Sequence, residues 1–129
     1  MNRHTVKLQG LNVDTFSFDE AVEYAKSISG QVITINPEMT DNAVKNPHFA
    51  EIINSAELVI PDGIGVEIGL KILGHKVRRI AGIEFAHRMI EECAKNSQSV
   101  ALIGAKPEIV EKAKENLMNE FQQLYITYI

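Results

Sequence analysis

At 129 residues, 45% of them hydrophobic, the chain can fill one core and has the usual size of one domain. A net charge of −4 and a pI near 5.5 exclude a broad electrostatic grip on nucleic acid, which needs a clustered excess of Lys and Arg, while leaving room for local basic clusters. The lone Cys93 excludes a disulfide or CxxC metal site, and no apolar run nears the roughly 20 residues that span a bilayer; with no signal-peptide pattern at the start, a soluble cytoplasmic protein is expected.

From the N-terminus, "HTVKLQGLNVDTF" predicts a short hairpin or a pair of edge strands. "SFDEAVEYAKSIS" follows as a helix, with Ser17 and Glu20 in capping-box spacing. "QVITIN" is a β-branched strand that stops at the polar cluster "NPE". "NPHFAEIINSA" is a helix entered through Pro47 after Asn46, and "ELVIP" a buried-type strand that stops at "DGIG". "GVEIGLKILG" reads as a helix closed by Gly74. In "AGIEFAHRMIEECAKN", Ile83, Ala86, Met89, Ile90 and Cys93 recur with a helical period, and Cys93 reads as a half-buried small hydrophobe. "SVALIG" is a strand, "KPEIVEKAKENLMNEF" a helix entered through Pro107, and "LYITYI" a last strand.

Strands without alternating polarity, separated by helices, predict an α/β fold: a mostly parallel, Rossmann-like sheet with helices on both faces, as one domain over residues 1–129. Ligands of open parallel sheets bind beyond the carboxyl ends of the strands, where "TINPE", "PDGIG" and "IGAKP" fall. Gly63, Gly65 and Gly104 stand beside following helices, so backbone N–H groups and the helix dipole there suit a phosphate; a plain strand-to-helix turn explains "GAKP" equally well.

Asp62, between Pro61 and Gly63, serves either as a turn or cap residue or as a general base. Thr34 and Asn36 would come from the neighbouring strand end and supply the neutral hydrogen-bonding groups that orient a substrate. His4, His48, His75 and His87 are scattered, no His/Cys/Asp cluster has metal-ligand spacing, and no Ser-His-Asp arrangement is present. "HKVRR", with Lys76, Arg78 and Arg79, is the densest basic cluster; it is either a solvated turn or a diphosphate contact.

The set T-x-N-P-E, then A-x-L-V-x-P-D-G-x-G, then R-x-A-G, with "VALIGAKPEIVEKAKENL" after it, resembles the WecG/TagA/CpsF family of bacterial glycosyltransferases from about Val6 onward. The resemblance implies an inverting, metal-independent transfer of N-acetylmannosamine or a related sugar from a UDP-sugar to polyprenol-diphosphate-linked N-acetylglucosamine. It implies work at the inner face of the cell membrane, with peripheral membrane contact, in the synthesis of teichoic acid or related polysaccharides. Matched by motif, Asp62 corresponds to the family's proposed catalytic base, Thr34 and Asn36 to the polar pair beside it, and Arg79 to the arginine before the A-G pair; Gly63, Gly65 and Gly104, with Pro37 and Glu38, are expected to bind substrate from their places in the strand-end loops. No cofactor and no nucleic acid are implied.

The family pattern continues with a further strand-helix stretch and a basic C-terminal segment, whereas this sequence stops at "QQLYITYI", as a shortened homologue or fragment would. Leu124, Ile126 and Ile129 are therefore expected at an edge or a poorly covered face, which predicts a homo-oligomer. A different class of function is a non-catalytic α/β binding or assembly module whose sheet is completed by another chain.

Overall fold

β-branched residues stiffen the backbone toward extended conformations, and the short runs "VITI", "LVIP" and "YITY" become strands in this chain. A computed structural model describes residues 1–128, which form two compact units, one of residues 1–85 and one from Ala86 onward. Ile129, an expected edge residue, lies outside the described residues. The elements run β1 (Thr5–Leu8), β2 (Leu11–Asp14), α1 (Phe18–Ser27), β3 (Val32–Ile35), α2 (Pro37–Lys45), α3 (Pro47–Ser55), β4 (Leu58–Pro61), α4 (Ile64–Ile72), α5 (Gly82–Lys95), β5 (Ser99–Leu102), α6 (Pro107–Glu120) and β6 (Tyr125–Tyr128). The fold is α/β, with short parallel pairs β3–β4 and β5–β6 and an antiparallel hairpin β1–β2.

In the first unit, Gln9 and Gly10 both have positive φ (49° and 83°), the geometry of a two-residue hairpin turn whose twist matches its strands. Leu8, Leu11 and Val13 of the hairpin join Ile35, Val59 and Leu70 in one core, and every residue of β4 is buried. The hairpin is tied to β4 by a buried carboxylate. Asp14 accepts from the Val59 backbone N–H at 2.8 Å and from Arg3 Nε and Nη2 at 2.8 and 3.0 Å, while Arg3 Nη1 donates to the Ala56 carbonyl at 3.1 Å. Those bonds let a charge sit in an otherwise apolar layer.

The helix starts follow local chemistry. Ser17 and Glu20 form the reciprocal capping box of α1, and Asn46 caps α3 ahead of Pro47. α2 is an element beyond those expected: Asn36 caps it and Pro37 occupies its first turn, so "NPE" begins a helix at once. Glu57 accepts the Gln31 N–H at 2.6 Å, and that bond holds its carboxyl below the ordinary range. Its contribution is therefore complete above the ordinary carboxylate pKa and fades as pH falls through the lowered one.

In the second unit, α6 connects the parallel strands β5 and β6, paired from Ser99↔Tyr125 to Leu102↔Tyr128. Ala94, Leu124 and Ile126 form its core, with Ile90, Cys93, Leu117 and Phe121 packed around them. Cys93 is half-buried, as expected. Leu124 and Ile126 are not at a poorly covered face: they are only 3% and 1% exposed, because α6 and α5 supply the apolar partners the sequence pattern left unassigned. The apolar argument for self-association through them falls with that burial.

Candidate active site

β3 and β4 run in register, Thr34 opposite Ile60 and Ile35 opposite Pro61, and the ladder continues one step as the Asp62 N–H donates to the Ile35 carbonyl at 2.8 Å. That step places Asp62 at the carboxyl end of the pair. The segment after α4 then returns to the same end: Ile80 is buried, and its N–H donates to the Pro61 carbonyl at 2.7 Å. Two residues later Gly82 lies over Asp62 and Thr34. A Cβ at Gly82 would stand 2.8 Å from Asp62 Oδ2 and 3.0 and 3.1 Å from Thr34 Cγ2 and Cβ.

Three helices begin around this point. α2 starts at Pro37 just beyond β3, α4 at Ile64 just beyond Asp62, and α5 at Gly82 itself. α2 and α4 touch at their first turns, where a Cβ on Gly65 would lie 2.7 Å from Pro37 Cγ. Helix starts carry unpaired N–H groups and the positive end of the helix dipole, features that can receive an anion without a large excess of cationic side chains.

Asp62 and Thr34 are half-buried, and their side chains make no hydrogen bond to any described residue. Asp62 does not cap α4: Gly63 holds that position, with no side-chain cap bond. The φ of 91° at Gly63 is left-handed backbone, which suits a glycine. Asn36 is different, because its Oδ1 accepts the Met39 N–H at 2.9 Å, leaving its amide NH₂ to offer a ligand. Glu38 is exposed in the first turn of α2, and Pro37 fills the space above Gly65.

Arg79 is exposed; its backbone N–H donates to Glu67 Oε2 at 2.7 Å, and with Glu67 and Arg78 it lines a cavity of about 340 Å³. Its place one residue before the Ile80 anchor brings its backbone close to the end of β4. Gly104 belongs to the second unit, where it and Ala105 have positive φ (102° and 63°) in the turn before α6. Gly82 escaped the sequence reading as a site residue, although the A-G pair after Arg79 was its signal. It is needed for space rather than for an unusual φ.

The model of the glycosyl transferase WecG/TagA/CpsF family matches residues 6–129. The chain belongs to this family. It is 25% identical over 125 residues to the N-acetylglucosaminyldiphosphoundecaprenol N-acetyl-beta-D-mannosaminyltransferase of Bacillus subtilis (strain 168), covering 95% of this chain and 49% of the relative. A Staphylococcus aureus (strain NCTC 8325 / PS 47) protein of the same name is 29% identical over 135 residues, covering 95% of this chain and 52% of the relative. The Bacillus spizizenii counterpart is 28% identical over 96 residues, 74% of this chain and 37% of its own length. The chain thus spans about half the length of these relatives or less.

The R-x-A-G element of this WecG/TagA/CpsF chain has a steric meaning that a substitution can test. Gly82→Ala is expected to cost about 1–3 kcal/mol, the range for an extra methyl forced against a well-packed neighbour, because the Thr34 Cβ is fixed by its strand. A urea melt that matches wild type would show that α5 shifts freely away from Asp62.

Proposed function

We propose that this chain binds a UDP-sugar at the ends of β3 and β4 and transfers N-acetylmannosamine or a related sugar, with inversion, to polyprenol-diphosphate-linked N-acetylglucosamine. The observation that carries the reading is the placement of Asp62 and Thr34 beneath Gly82, where three helices start. Family membership and the acceptor in the relatives' names support it.

In this reading the acceptor hydroxyl gives its proton to Asp62 as its oxygen bonds to the anomeric carbon of the donor. The bond from that carbon to the diphosphate breaks, its electron pair stays on the phosphate oxygen, and UDP departs. The amides of the helix starts and the Arg79 guanidinium receive the charge, so the reading assigns no metal to that task. Thr34 and the free amide of Asn36 orient the acceptor. The acceptor lipid places the reaction at the inner face of the cell membrane.

Calorimetric titration with UDP tests the donor half directly. Arg79→Ala is expected to weaken binding by about 1–3 kcal/mol, the scale of a charge-assisted hydrogen bond left unmade. No heat with wild type would remove the donor site. Equal affinity in the variant would return Arg79 to a solvated turn.

A further inference from the structure

α4 is apolar on two opposite faces. Val66 and Leu70 are buried in the core, whereas Ile64, Ile68 and Ile72, spaced by four, form a stripe with exposures of 59%, 49% and 80%, and the C-cap Leu73 beyond the helix end is also exposed, at 54%. A core accounts for the first face only, and a contiguous exposed apolar stripe marks a surface that meets something. A basic border adjoins it. Glu67, Lys71, His75, Lys76, Val77 and Arg78 line a cavity of about 400 Å³ where α4 turns into the following segment. Between residues 64 and 80 lie four of the chain's 13 Lys and Arg but one of its 17 acidic residues, in a molecule of net charge −4. Glu67 is the one acid there, and it faces the Arg79 backbone N–H.

From this pairing of an apolar stripe with a cationic border we infer that α4 is a docking surface for an anionic lipid membrane, lying in the headgroup layer with Ile68, Ile72 and Leu73 inserted. An apolar partner protein would be served by the stripe alone; the border of Lys71, His75, Lys76 and Arg78 matches phosphate headgroups beside acyl chains. No described helix is long and apolar enough to cross a membrane, and a nine-residue helix with one outward stripe suits the interface plane instead. The stripe begins at Ile64, two residues after Asp62. Docking therefore holds the carboxyl end of β4 at the lipid surface, and only in that purpose does the inference rest on the transferase reading.

The test is co-sedimentation of the chain with phosphatidylglycerol vesicles that contain no acceptor lipid, with phosphatidylcholine vesicles as the uncharged comparison. Wild type is expected to bind the anionic vesicles and to be released by salt. Ile68→Asp with Ile72→Asp, and separately Lys71→Glu with Lys76→Glu, should each lower the partition coefficient by roughly tenfold or more. All four side chains are exposed, so the melting curve of each variant should match wild type. Ile109→Asp, at an exposed apolar position of α6, should bind as wild type does. Absence of wild-type binding to anionic vesicles, or equal binding by the α4 variants, would overturn the proposal. So would a wild-type dimer that Ile68→Asp with Ile72→Asp dissociates while no vesicle binding is seen, since the face would then belong to a second copy. Wild type that binds UDP but not anionic vesicles would sink this surface and leave the donor site standing.

Discussion

Asp62→Asn is expected to lower sugar-transfer turnover by about 100-fold or more while leaving UDP affinity and stability close to wild type. The amide keeps the size of the carboxylate, so the clearance beneath Gly82 is preserved, but it cannot accept the acceptor proton. A purely structural Asp62 would leave a different signature. The helix cap is the structural role open to a residue at this position, and Gly63 occupies it without any side-chain bond, so Asn should then be silent in every assay. Transfer rates from a UDP-sugar, measured beside the UDP titration, separate the two. Wild-type turnover in the variant would dismiss Asp62 as the base and strip Thr34 of its reason for being there.

The largest loss of stability is expected at Asp14. Asp14→Ala removes the acceptor for the Val59 N–H and for two nitrogens of Arg3, leaving the half-buried guanidinium with its Ala56 bond but no counter-charge beside it, and a buried backbone donor unmatched. Breaking a buried pair from one side costs about 3–5 kcal/mol, and the 27% exposure of Arg3 puts the expectation toward the lower end. Arg3→Met should cost less, since Asp14 keeps its bond to β4. Urea midpoints compared at a common slope would read both changes. If Asp14→Ala shifts the midpoint by less than the Arg3 variant does, the carboxylate is not what fastens the hairpin.

The two residues also show where reading a sequence stops. Local signals were legible because their causes are local: Ser17 with Glu20, Asn46 before Pro47, Gly74 after an apolar helix, and the β-branched runs of β3 and β4 all act within a few residues. Asp62 and Thr34 were legible because strand ends in parallel pairs fall together. α2 was passed over although Asn36-Pro37 is the same start signal as Asn46-Pro47, since the strand-end reading of "TINPE" absorbed it. Asp14 carried no signal at all, because its partners lie 11 and 45 residues away. Leu124 and Ile126 misled for a related reason: a strand near the end of a sequence does not disclose the helices that cover it.

The contact of Pro37 with Gly65 changes how the two motifs are to be compared among related sequences. T-x-N-P-E and P-D-G-x-G look like independent signatures separated by two helices, yet the proline ring of one occupies the volume any side chain in the other would need. They form a single interlocking joint. A residue larger than glycine at position 65 is admissible only where position 37 gives up its ring, and with it the pre-set φ that starts α2. Variation at one position is thus bounded by the other, and the spacing between the two loops is transmitted through a rigid ring rather than through a side chain free to change rotamer.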